Sequence, residues 1–122
     1  MPLKIGVLMG GPSEEREVSI STGEAVMRAC QDNGHTVTNI SFCNNYKNYL
    51  GKLADQDIVF NALHGGIGEN GKLQAWMDKN NIKYTGSGAT SSALCMDKAK
   101  SKGIAKLLGV QTPKWQLLVK EN

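Results

Sequence analysis

Hydrophobic positions fall along the chain in short blocks of two kinds. Lys4–Met9 carries Ile5, Val7, Leu8 and Met9 and ends in Gly10-Gly11-Pro12, the pattern of a buried strand stopped by a turn. Val18, Thr22, Ala25, Val26, Ala29 and Cys30 then recur with a helical period, which predicts a helix with that stripe inward and Gly34 as its stop. His35–Phe42 alternates Val37 and Ile40 with Thr and Asn, as a second strand does. Tyr46, Tyr49, Leu50 and Leu53 return to helical spacing, and Asp57–Leu63 is a third strand, the most apolar of the set. Leu73, Trp76 and Met77 predict a helix to about Asn81, with Ile82–Thr85 a short fourth strand.

Strands and helices alternating at this spacing predict an α/β fold: an open, Rossmann-like parallel sheet of about four strands, with right-handed crossovers and helices on both faces. The pattern changes after Gly88. Ala89–Met96 and Asp97–Leu108 read as consecutive helical pieces, Gln111-Thr112-Pro113 breaks the chain, and Trp115–Val119 is an apolar strand. A helix followed by a strand does not complete a βαβ crossover with what precedes it. The expectation is an N-terminal α/β domain over 1–96 and the beginning of a second, incomplete domain over 97–122.

Composition narrows the partners. The 122 residues suit one ordinary domain, and 14 Lys+Arg against 11 Asp+Glu leave a formal charge of 14 − 11 = +3. That charge is small and scattered, so nucleic acid is not an expected partner. No apolar run reaches membrane-spanning length, and the first residues lack the segments of a signal peptide. Cys30, Cys43 and Cys95 are odd in number and form no CxxC, which argues against a disulfide framework or structural zinc. The expectation is a cytoplasmic domain with reduced thiols and no membrane attachment.

Two loops leave strand ends, where open α/β sheets bind ligands. The first, Gly10-Gly11-Pro12-Ser13-Glu14-Glu15-Arg16-Glu17, has neither GxGxxG nor GxxxxGK[ST]. Its three carboxylates favour the helix dipole but repel a phosphate, so the loop suits a cation such as a substrate ammonium. Taken singly, each glutamate could as well cap and solubilise a first turn. The second loop, His64-Gly65-Gly66-Ile67-Gly68-Glu69-Asn70-Gly71, has glycines that admit close backbone approach, and a histidine at the strand end able to meet a carboxylate or a reacting group. Alone it could be a plain turn with a backbone-bonded histidine. If strands one and three are neighbours, the two loops face each other across a switch point. A third element, Tyr84-Thr85-Gly86-Ser87-Gly88 with Ser92 to Lys98, offers Asp97 as a helix N-cap. Lys98 just inside that helix opposes the dipole, a local violation of the kind found at functional sites.

The three motifs occur together and in order. Gly10-Gly11-x-Ser13-x-Glu15-Arg16-Glu17-Val18-Ser19, then His64-Gly65-x-x-Gly68-Glu69-x-Gly71-x-x-Gln74, then Tyr84-Thr85-Gly86-Ser87-Gly88 with Ser92-Ala93-x-x-Met96-Asp97-Lys98, resemble the N-terminal portion of the D-alanine–D-alanine ligases of the ATP-grasp superfamily. Asn70 stands where the family usually carries aspartate, a conservative change at a loop-shaping position. The resemblance covers nearly the whole chain, and the family's members are longer. It implies a pre-ATP-grasp domain followed by the first helix and strand of the central ATP-grasp domain.

The resemblance further implies an ATP-dependent carbon–nitrogen ligase of peptidoglycan precursor synthesis, acting in the cytoplasm as a homodimer. Family members join two D-alanines through an acylphosphate of the first. By match to the motifs, Glu15 is the catalytic residue that holds the first D-alanine's ammonium. Val18 lines its pocket, His64 lies beside its carboxylate, and Lys98 reaches the ATP phosphates. The Mg²⁺ ligands and the phosphate-covering loop lie in the family's C-terminal portion, so no metal ligand is assigned here. The 122 residues alone are expected to be inactive and to bind neither ATP nor Mg²⁺ tightly. D-Ala, D-Ser and D-lactate stay open as second substrate.

Other classes fit less well. A receiver module needs acidic residues after strand one and an aspartate after strand three, where Met9-Gly10-Gly11 and Leu63-His64 stand. A dinucleotide-binding domain needs the missing glycine fingerprint and an acid ending strand two, where Ser41-Phe42-Cys43 stands. A non-catalytic small-molecule-binding or regulatory module on the same fold is the remaining alternative.

Overall fold

The computed structural model describes residues 1–120. β1 (Lys4–Gly10) lies between β2 (Thr36–Phe42) and β3 (Ile58–Asn61), and both neighbours run parallel to it. The connections are α1 (Arg16–Asp32) between β1 and β2, and a 3₁₀ turn (Tyr46–Tyr49) with α2 (Leu50–Ala54) between β2 and β3. A second 3₁₀ turn (Gly66–Gly68), α3 (Lys72–Lys79), α4 (Ala89–Met96) and α5 (Lys98–Leu107) follow.

The alternation in β1 divides the molecule into three layers. Ile5, Val7 and Met9 face α1 and pack with Ile20, Val26, Met27 and Cys30. Leu8 points the other way, into a larger cluster with Ile40, Phe42, Leu53, Val59, Leu73 and Met77. Tyr46 closes that layer, edge-on to both Phe42 and Trp76. Helices therefore cover both faces of the sheet, as the alternating pattern predicts.

The inward stripe of α1 differs from the expected one. Val26 and Cys30 turn to the sheet, whereas Val18, Ala25 and Ala29 are exposed. The buried positions are Ser19 and Gly23, which a search for apolar periodicity passes over. A Cβ at Gly23 would lie 2.8 Å from the Met9 Cβ, so the missing side chain is what brings α1 down onto β1. The helix chooses close approach over its largest apolar arc.

Two expected strands also differ. Ile82–Thr85 is a single parallel bridge from Val59 to Tyr84, so the sheet has three strands rather than about four. Asn61, Thr85 and Lys83 still tie this segment to β3, through Val59 N–H to Lys83 O at 2.8 Å and Asn61 N–H to Thr85 Oγ1 at 3.0 Å. Trp115–Val119 is not a strand: residues 108–120 carry no regular structure and pair with neither edge of the three-stranded sheet, and an unpaired segment has no ladder to hold it extended. α5 forms as expected, with Asp97 as N-cap accepting from Lys100 N–H at 3.0 Å. The last two positions of the expected 97–122 segment lie outside the described residues. The three cysteines are free thiols. Among the described residues no helix is long and apolar enough to cross a membrane.

Candidate functional site

Because β1 pairs directly with β3, the loops that leave their carboxyl ends are neighbours. Ser19, fully buried on α1, ties the two strand ends together. Its Oγ accepts from Gly10 N–H at 3.0 Å and donates to Ala62 O at 2.8 Å. Arg16 holds the first loop to β2, its Nη1 donating to Gly11 O at 3.1 Å and to Phe42 O. The cation that interrupts the acidic run thus serves the backbone.

Ser13 joins the loops themselves. Its hydroxyl donates to His64 O at 3.0 Å and accepts from Glu15 N–H at 2.9 Å. The glycine at 65 has φ +73°, and a Cβ there would collide with Glu15 Oε2 and lie 3.3 Å from Ser13 Oγ. Glu15 is therefore held against the glycine loop. Although it occupies the N-cap position of α1, its side chain makes no capping bond, so simple capping does not account for it. The His64 ring is half-buried, with Nε2 3.1 Å from Thr22 Oγ1 on α1.

Between the loops lies a cavity of about 160 Å³, lined by Gly10 to Ser13, Phe42 and Leu63 to Gly68. His64 is the one titratable side chain in that lining. Glu15, Val18 and Thr22 gather instead on the α1 side of the glycine loop. Their spacing puts them on one helical face, where Val18 is 54% exposed. Beyond Leu63 and Gly68, which line both, a cavity of about 500 Å³ runs along Asn61, Gln74, Thr85 and Ser87 to α4. Gln74 is buried and donates from Nε2 to Gly68 O at 2.9 Å, as Asn61 does from Nδ2 at 3.0 Å. These two amides fix the shape of the glycine loop from behind.

Of the four residues singled out in the sequence, Glu15 and His64 come together through Ser13 and Gly65. Val18 shares the face of Glu15. Lys98 stands apart, exposed in the first turn of α5, and lines neither cavity. Ser13 and Ser19 are polar side chains that periodicity does not single out, and Thr22, placed by periodicity in the inward stripe of α1, had no polar role assigned to it. The available signal was the run of hydroxyls at Ser13, Ser19, Ser21 and Thr22, since Ser and Thr tend to bond backbone or neighbouring groups. Among the described residues no group of three or more His, Cys, Asp or Glu side chains could hold a metal ion.

The chain is similar to D-alanine–D-alanine ligases in sequence and in structure. Residues 43–87 match the family model described as the D-Ala–D-Ala ligase N-terminus. The D-alanine–D-alanine ligase of Halalkalibacterium halodurans is 49% identical over 109 residues, 89% of this chain and 35% of the relative. That of Pelotomaculum thermopropionicum is 44% identical over the full 122 residues, 38% of its own length. In three dimensions the chain is similar to the Bacillus anthracis D-alanine–D-alanine ligase solved with ATP, with a TM-score of 0.90 at 38% identity, over 98% of this chain and 39% of that one. The chain thus spans between a third and two fifths of the length of these relatives. In sequence over nearly its whole length, and in structure, the chain matches the N-terminal part of D-alanine–D-alanine ligases.

Proposed function

We propose that this chain serves as the first-D-alanine-binding domain of an ATP-dependent D-alanine–D-alanine ligase. The observation that carries the reading is the apposition of Glu15 and His64, with the Glu15 side chain released from capping and pressed against Gly65. A carboxylate and an imidazole held on neighbouring loops match the two ends of an amino acid. Glu15 receives the ammonium, and the His64 ring lies beside the carboxylate. Val18, exposed on the same face, offers apolar contact to a methyl side chain. Lys98 is assigned to the ATP phosphates, acting as a point charge at the start of α5.

In this reading the chemistry of acylphosphate formation is supplied by ATP with Mg²⁺ in the whole ligase. The part played by these residues is to bind and orient the amino acid. The 122 residues alone make no D-Ala-D-Ala from ATP and D-alanine, because no Mg²⁺ ligand set is assigned to them. Detectable dipeptide from the purified chain would overturn that part. The second substrate, D-Ala, D-Ser or D-lactate, is chosen elsewhere.

The direct test of the site is Glu15→Gln in a full-length ligase carrying this N-terminus. The change keeps shape and removes a charge-assisted contact worth about 1.5–3 kcal/mol. Efficiency for the first D-alanine should fall roughly 10–150-fold at about 1.4 kcal/mol per decade, with little change in melting temperature. Unaltered kinetics with a large drop in melting temperature would restore a purely structural role.

A further inference from the structure

The His64 ring has one nitrogen taken and one spare. Nε2 lies 3.1 Å from Thr22 Oγ1, whereas Nδ1 has no hydrogen-bond partner among the described residues. The ring is half-buried and its backbone is pinned independently, by Ser13 Oγ donating to His64 O at 3.0 Å. Thr22 therefore acts on the ring alone. Its hydroxyl can donate to an unprotonated Nε2 or accept from a protonated one, and the choice fixes what Nδ1 can do.

We propose that Thr22 is a positioning residue that donates its hydroxyl proton to His64 Nε2 and so keeps the neutral ring protonated at Nδ1. The spare nitrogen is then a donor, the role a carboxylate ligand needs, and no proton has to be acquired before binding. This rests on the reading of His64 as the neighbour of the first D-alanine's carboxylate. Thr22 suits the task because it is on α1, on the face of Glu15 and Val18, so one rigid helix sets both ends of the proposed amino-acid site. Its branched side chain has few rotamers, which holds the hydroxyl in place at little entropic cost.

Imidazole ¹⁵N shifts of the uniformly labelled 122-residue chain, recorded above the titration range of histidine, test this without any enzymatic activity. The wild-type ring should show a protonated Nδ1 and an unprotonated Nε2. Thr22→Val, which keeps the branch and removes the hydroxyl, should move His64 towards the Nε2-protonated tautomer while the His35 signals stay in place. Thr22→Ser should restore the wild-type pattern. A wild-type ring protonated at Nε2 would overturn the inference whatever the variants do, and so would an unchanged tautomer in Thr22→Val. The broader reading is tested separately by adding D-alanine. A ring that shows the expected tautomer and its Thr22 dependence, yet ignores D-alanine, supports the hold of Thr22 and counts against the amino-acid site.

Discussion

At the scale of single residues, the site depends on small side chains that bring larger ones into place. Ser19 is the sharpest case, since one hydroxyl satisfies Gly10 N–H and Ala62 O where β1 and β3 end. Ser19→Ala leaves a buried donor without a partner, at a cost of about 1–3 kcal/mol. Urea denaturation should show that loss as a lower midpoint with an unchanged slope. An unshifted midpoint would mean that water replaces the hydroxyl. Gly65 is the second case. With φ +73° and Glu15 Oε2 over the position of a Cβ, Gly65→Ala both strains the backbone and displaces the carboxylate. It should cost about 1–3 kcal/mol of stability and weaken D-alanine binding at least as much as Glu15→Gln does. A Gly65→Ala chain that binds as well as wild type would separate Glu15 from the glycine loop.

Among the elements, α1 and residues 97–120 behave in opposite ways. α1 is locked to the sheet by close approach at Gly23, whereas the end of α5 and the segment after it expose Leu107, Leu108, Leu117, Leu118 and Val119. The contact that Lys102 makes over the Trp115 ring, at 5.8 Å, is an exposed cation–π pair worth about 0.5–1 kcal/mol, too little to order thirteen residues at about 1–2 kcal/mol each. Trypsin should therefore cut at Lys114, and then at the lysines of α5, before any site in the sheet layer, leaving a resistant fragment that contains 1–96. Cleavage there as slow as in the sheet, from a chain that sediments as a monomer, would show that 97–120 packs in cis and that the domain boundary is wrong. Tyr46 adds a pH signature. Burial raises its pKa above 10, so the unfolded chain loses the phenol proton first and stability falls as pH rises from 10 through the folded-state value. Tyr46→Phe should flatten that fall, as followed by melting temperature in alkaline buffers.

The same contrast explains what the sequence made legible. β1, β2, α2, β3 and α3 could be read because burial on one or two faces writes apolar residues at a period of 2 or 3.6. Ile82–Thr85 carries the right residues but pairs at one bridge, and strand length depends on a partner that the local sequence does not contain. Trp115–Val119 is apolar enough for a strand but pairs with neither edge of the sheet, and the partner that would make it one is not written in its own residues. The stripe of α1 was read about one residue out of phase because Ser19 and Gly23, the residues that touch the sheet, carry no hydrophobic signal. Glu15 and His64 stood out by their motifs. Thr22 did not, since its role comes from a histidine forty-two positions away.

For the whole molecule, the central claim is that two strand-end loops, joined by Ser13 and backed by Asn61 and Gln74, present Glu15 and His64 as one amino-acid site. The three-layer core positions those loops without help from residues 97–120, so the site should be testable in this chain even if the ligase reaction is not. The most direct measurement is a D-alanine titration of the ¹⁵N-labelled 122-residue chain, followed by backbone amide shifts and repeated with Glu15→Gln. The account predicts saturable shifts centred on Glu15, Val18, His64 and Gly65 that Glu15→Gln abolishes while the rest of the spectrum is preserved. Shifts centred on the Asn61–Gln74–Ser87 cavity, or shifts at the loops that survive Glu15→Gln unchanged, would contradict it.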